Sequence, residues 1–275
     1  MLPNLPRPHR AIGLLLGVAL LSWGGSMARS QPEPAADTDE QRIADLVTAC
    51  HICANEGVMD GFGHLSVRSA RNPERFFMSR ALAPAQVTAA DIMEFDRSGN
   101  PVDPQGRRAN GERFIHSEIY KARPDVQAVI HSHSPAVLPF GIAGVSLKPV
   151  IAQAGFLPLE TPLFEIRDAW GAAEERGMLV RSSKLARALA EKLGTSSVVL
   201  MRGHGHCVVA DSIRRATIRA VYTDVNARVL QSALQLSRNI TALDEKEIAY
   251  NATENFDVDR PWDNLRLRLP EASKR

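Results

Sequence analysis

Aromatic side chains are scarce, at 5% of the 275 residues, and so is excess charge of either sign: the formal net charge is +2. The near-neutral balance gives no basic field to draw in nucleic acid. The shortage of aromatics weakens a base-stacking reading, so no nucleic-acid partner is expected. No internal repeat and no long linker interrupts the chain. Cysteine occurs only at Cys50, Cys53 and Cys207. The C-x-x-C of Cys50 and Cys53 encloses His51 instead of preceding a histidine, so it is not a haem-attachment pattern. An exported protein could oxidise that pair. Yet Ile43, Leu46, Val47, Cys50 and Ala54 recur at helical spacing, and buried cysteines on the core face of a helix are the simpler expectation. What remains, 44% hydrophobic and 23% charged, is ordinary globular composition for one generous domain.

The first 30 residues have the layout of a secretory signal peptide. Arg7 and Arg10 precede the apolar run "AIGLLLGVALLSWGG", and Ser26, Ala28 and Ser30 supply small residues before the prolines. The run is too short for a comfortable membrane span; an uncleaved anchor is the alternative. The mature chain is expected to begin near Arg29 or Gln31, in a periplasm or outside the cell, with no stable membrane insertion after cleavage. Translation from Met27 would delete the signal and leave the protein cytoplasmic. Residues 31–39 read as a disordered lead-in, and 40–275 as the domain.

Along that domain, helices and strands alternate. Helices are predicted at 40–56, 110–123, 182–194 and 211–237, with a last one over "LDEKEIAYNATENF" and a short one at "AVLPFGIAG". Strands are predicted at 63–69, 75–80, "IMEFD", 126–133, "KPVIAQAG" and "TPLFEI", and as two segments around a glycine turn in 196–210. This order suits an α/β layered domain.

Eight histidines stand out, and the sharpest pattern is "AVIHSHSP". In a strand, His131 and His133 project to the same face. That is either a polar interruption or two imidazoles that grip one divalent ion. Catalytic zinc commonly has three protein ligands and an open position. "RGHGHC" offers His204, with His206 as second choice, beside Gly203 and Gly205. Glu112 begins the helix that leads into the His131 strand. Packed antiparallel, the two would bring this carboxylate near the histidines, where it could act as acid or base. Alone, it would read as a first-turn helix charge.

The phrases "GHLSVR", "NGERFIHSEIYKARPDVQAVIHSHSPAVLPFGIAG" and "VVLMRGHGHCVVADSIRRATIRAVYTDVNARVLQ" resemble the class II aldolase/adducin family over roughly residues 40–240. The resemblance implies an α/β/α three-layer domain with a central, mostly antiparallel sheet. It also implies a homotetramer with sites at subunit interfaces. It implies zinc, or manganese or cobalt, held by His131, His133 and His204, with Glu112 as acid/base and able to touch the metal.

The chain departs from the family's sugar-phosphate aldolases. Gly63-His64 stands for a Gly-Asn pair, "MSRALAP" for the phosphate loop, and Asn110-Gly111 for Ser-Ser. A phosphorylated substrate is therefore not expected. His64, Ser79 and Arg80 are candidates to bind a carboxylate instead, although Arg80 could be a solvated loop charge. His116, four residues after Glu112, could orient it or line the pocket, or be a hydrogen-bonded histidine under the sheet. Tyr222 could reach a neighbouring subunit's site. The phrases look most similar to a decarboxylase-like branch. The expected activity is thus a metal-dependent carbon–carbon lyase. It would decarboxylate a hydroxylated aromatic or semialdehyde carboxylic acid through a metal-stabilised enolate. The alternatives are an aldolase acting on a small non-phosphorylated hydroxy-carbonyl compound, and a non-catalytic oligomeric metal-binding module.

Overall fold

A computed structural model describes residues 37–171, 176–253 and 257–271. The expected signal segment and most of the lead-in lie outside the described residues. The first helix, α1 (Asp39–Asn55), starts where Thr38 accepts a hydrogen bond from the Gln41 backbone N–H, an N-cap that satisfies a helix-terminal donor. Asp39, expected at the end of the lead-in, is the first residue of this helix. Asp39 is buried, accepting from Ser69 Oγ, the Ala70 N–H and Arg71 Nε.

Seven strands form one sheet: β1 (His64–Arg68), β2 (Arg75–Ser79), β3 (Ile92–Asp96), β4 (Ala128–Ser132), β5 (Leu163–Phe164), β6 (Val198–Met201) and β7 (Gly205–Ala210). Their order is β3-β2-β1-β4-β7-β6-β5. Every neighbour pair is antiparallel except β5 with β6. The central strands β1, β4 and β7 are buried along their whole length, as strands covered on both faces must be. One face packs against α1 and α4 (Ile213–Leu236), through residues such as Leu46, Ile130, Val208 and Ile218. The other packs against α2 (Arg113–Ala122) and α3 (Ser183–Leu193), through Ile115, Val129, Leu189 and Val209. The result is the expected α/β/α layering. Two further helices follow, α5 (Glu245–Thr253) and α6 (Asp259–Leu267).

The structure corrects two sequence expectations. "KPVIAQAG" is not a strand. Asn226 of α4 donates to the Lys148 carbonyl and accepts from the Val150 N–H, so a side chain satisfies the backbone groups a ladder would have used. The segment ends in a single 3-10 turn, Ala152–Ala154. Helix α6 was not expected, although Trp262 and Leu265 are its buried residues at helical spacing. The three cysteines are free and buried. Burial pushes the Cys50 thiol up to about 12, which fits core packing and not redox chemistry.

Candidate active site and metal centre

Strand pairing sets the geometry. His64 on β1 lies opposite His131 on β4, and their rings stand 4.9 Å apart. Cys207 on β7 is opposite His131 and its sulfur lies 3.6 Å from His131 Nδ1. His206, one residue earlier, therefore faces away. Its ring is buried, both its nitrogens lack a partner, and burial pushes it down to about 3. Alternation along β7 thus turns His206 away from His131, whereas His204, in the turn before the strand, groups with His131 and His133.

His133 lies just beyond the end of β4. It fits there because Gly205 has no side chain: a Cβ at that position would overlap the Ser132 carbonyl oxygen and lie 2.9 Å from His133 Cδ2. His204 sits in the β6–β7 turn, after Gly203 at φ +62°.

The rings converge. His131 Nε2 and His133 Nε2 are 3.0 Å apart. The other nitrogen of each ring faces an acceptor: His131 Nδ1 meets the His206 carbonyl at 3.2 Å, and His133 Nδ1 meets Asp60 Oδ1 at 3.0 Å. Those acceptors carry no hydrogen, so each Nδ1 is the protonated nitrogen. Two Nε2 lone pairs are left facing each other, an arrangement that repels unless a cation lies between them. Ligand nitrogens 2.0–2.1 Å from a tetrahedral zinc lie roughly 3.3 Å apart, close to the separation seen. His204 joins them, stacked on His133 at 5.4 Å, with neither ring nitrogen hydrogen-bonded. Ligand atoms of His131, His133 and His204 all lie within 4.8 Å of one another. The carboxylate behind His133 and the carbonyl behind His131 are contacts of the kind that orient an imidazole toward a metal. The residues present fit a divalent ion.

Glu112 is the cap residue of α2 and is buried. Its Oε2 lies 3.5 Å from His204 Nε2 and 3.9 Å from His131 Nε2. The Val180 N–H, just before α3, donates to its Oε1 at 2.7 Å. Burial opposes ionisation, but the His204 contact, the charge interactions with His131 and His204, and the Val180 hydrogen bond outweigh it. They bring the carboxyl down to about 2. The expected approach of Glu112 to the histidines is therefore present.

These groups open onto a cavity of about 690 Å³, lined by Glu112, His133 and His204 together with Phe62, Arg108 and Arg181. Arg80 is not among its walls. Its Nε pairs with Asp91 Oδ1 at 2.7 Å. Ser79 is buried at the end of β2, paired with Ile92. His116 is enclosed between Ser66 and His64, which places it under the sheet and not at the cavity wall. Of the four expected substrate contacts, His64 alone leaves a buried nitrogen, Nε2, without a partner beside the cluster. Tyr222 lines a different cavity of about 530 Å³, with Asn251 and Pro261. Sequence reasoning missed Asp60, Arg108 and Arg181. All three lie outside the helices and strands, where no periodicity points to them.

Residues 44–230 match the family described as Class II Aldolase and Adducin N-terminal domain. The chain belongs to this family. Over 205 residues it is 40% identical to decarboxylase tropJ of Talaromyces stipitatus, covering 71% of this chain and 77% of that one. It is 31% identical over 239 residues to the 3,4-dihydroxyphthalate decarboxylase of Arthrobacter keyseri, covering 82% and 93%. The solved L-fuculose 1-phosphate aldolase from Glaciozyma antarctica PI12 superposes with a TM-score of 0.69 at 24% identity, over 86% of this chain and 94% of that one. The family member is thus an enzyme of the lyase type, and the layered fold expected from the resemblance is the family's.

Proposed function

We propose that this family member is a metal-dependent decarboxylase of a hydroxylated aromatic carboxylic acid, with zinc as the ion. The observation that carries this reading is the convergence of His131, His133, His204 and Glu112, the last three of which line the 690 Å³ cavity. Three imidazoles favour zinc or another imidazole-binding transition metal over magnesium, with manganese and cobalt as the competitors. The decarboxylases among the relatives support the reaction type. The exposed Phe62 and Leu179 on the cavity wall favour an aromatic ring over a short semialdehyde.

His131, His133 and His204 would hold the ion, with Glu112 beside it. When bound, the ion supplies Lewis acidity that stabilises negative charge on the substrate's oxygens as CO2 leaves. Glu112 enters ionised, so Oε2 accepts a proton from the substrate hydroxyl and returns it to the carbon that lost CO2. Val180 holds Oε1, which leaves Oε2 as the oxygen that works. Arg108 and Arg181 line the cavity. They take the carboxylate-gripping role that fork geometry favours.

The same reading includes a homotetramer, checked by light scattering on the purified protein, and export, checked by sequencing the mature N-terminus. The activity is tested by supplying 3,4-dihydroxyphthalate to zinc-loaded protein and collecting CO2. Release of CO2 that vanishes in His131→Ala is expected. Release of an aldehyde from a hydroxy-carbonyl compound without CO2 would mean an aldolase, and stable metal binding without turnover of either would mean a binding module.

A further inference from the structure

A buried polar chain runs from the cluster into the sheet, and the chemistry above does not use it. It begins at His64 and ends at Tyr120. His64 Nδ1 meets His116 Nε2 at 2.7 Å, His116 Nδ1 meets Ser66 Oγ at 2.6 Å, and Ser66 Oγ meets Tyr120 Oη at 2.8 Å. All four residues are at most 4% exposed. The fold builds the chain from two periodicities. His64 and Ser66 share one face of β1 at spacing two, while Glu112, His116 and Tyr120 follow one face of the α2 segment at spacing four.

His116 is fully buried with no carboxylate hydrogen-bonded to its ring, which keeps it neutral. A neutral imidazole has one N–H and one lone pair, so the chain must run in one direction. If Tyr120 donates to Ser66, then Ser66 donates to His116 Nδ1, His116 Nε2–H donates to His64 Nδ1, and the His64 proton sits on Nε2. The opposite direction requires Tyr120 to donate to the Gln127 carbonyl. That oxygen is 3.5 Å from Tyr120 Oη and already accepts the Arg68 N–H at 2.8 Å. The Ser66 bond is 0.7 Å shorter, so the first direction is favoured. It leaves an N–H on His64 Nε2, the buried nitrogen with no partner in the protein, next to His131.

We propose that Tyr120, Ser66 and His116 are positioning residues that fix His64 in its Nε2–H form, so that His64 donates a hydrogen bond to an oxygen of the acidic substrate beside the metal ligands. The direction of the chain stands on this geometry alone; the nature of the acceptor rests on the decarboxylase reading. The competing role is a further metal ligand, since ligand atoms of His64, Glu112 and His131 also lie within 4.8 Å of one another. A ligand needs a lone pair on Nε2 and therefore the opposite direction.

Neutron diffraction from deuterated crystals of the zinc-loaded protein locates the proton directly. Deuterium on His64 Nε2 and His116 Nε2 is expected, and deuterium on His64 Nδ1 would overturn the proposal. Two variants extend the test without depending on one fold. His64→Gln should keep its full zinc content, and loss of zinc would mean that His64 is a ligand. Ser66→Ala breaks the chain away from the cluster. Its kcat on 3,4-dihydroxyphthalate should fall about tenfold with KM and zinc content little changed, because a donor to developing negative charge acts mainly in the transition state. An unchanged kcat would overturn the positioning role. If wild-type protein releases no CO2 at all, the decarboxylase reading fails, and the neutron map tells the two failures apart because it needs no turnover.

Discussion

Replacing Gly205 with alanine tests whether the site depends on close approach of β7 to the end of β4. The added Cβ would overlap the Ser132 carbonyl oxygen, which is backbone and cannot swing aside, and would sit about 0.5 Å inside the 3.4 Å at which ordinary contact with His133 begins. Overpacking of this kind costs about 1–3 kcal/mol. For a chain of this size that lowers the melting temperature by roughly 2–12 °C. The strain falls on His133, whose Nε2 lies 3.0 Å from His131 Nε2, so zinc affinity should also drop, by about 10–100-fold if the effect matches that of disturbing a ligand's supporting contacts. Gly203→Ala is the control. Its Cβ would meet nothing nearer than 3.7 Å, but its φ of +62° costs an L-residue about 1–2 kcal/mol. It should lose stability while keeping most of its zinc affinity. Thermal melts of metal-free protein and zinc competition against a chromophoric chelator measure both quantities. A Gly205→Ala protein that melts and binds zinc like wild type would refute the reasoning.

Three further outcomes follow from the same geometry. Asp60→Ala removes the carboxylate behind His133 Nδ1 and should weaken zinc binding about 10–100-fold with little change in melting temperature; unchanged affinity in the chelator assay would count against Asp60 as an orienting group. The Glu112 carboxyl, held at about 2 in the folded chain against an ordinary 4.5, stabilises the metal-free fold above pH 4.5 and loses that contribution as pH falls toward 2. The loss is on the order of 3 kcal/mol, and denaturant titrations of Glu112→Gln should lack it. Arg108→Gln and Arg181→Gln should each raise KM for an aromatic hydroxy acid about tenfold with a smaller effect on kcat, and steady-state kinetics showing no KM change would remove both from substrate binding.

The site was legible where a regular period carried it. His131 and His133 could be read as same-face neighbours because strand alternation fixes side-chain direction, and Glu112 could be placed because helix α2 leads directly into β4. The choice between His204 and His206 needed the register of β7 against β4, which the sequence does not state. The ion pair of Arg80 could not be read, because its partner, Asp91, lies eleven residues away across a turn; a charge at a strand end does not reveal its counter-ion. Arg108, Arg181 and Asp60 sit on irregular segments that only the folded sheet brings to the cavity. "KPVIAQAG" has the apolar character of a strand, yet Asn226, far along the chain, takes its backbone hydrogen bonds. In each case the missing information was tertiary.

The most direct test of the central claim is paired metal analysis and CO2 collection on wild-type and His131→Ala protein, with 3,4-dihydroxyphthalate supplied. The account predicts about one zinc per wild-type chain with CO2 release, and loss of both in the variant. A His131→Ala protein that retained its zinc and its activity would contradict it.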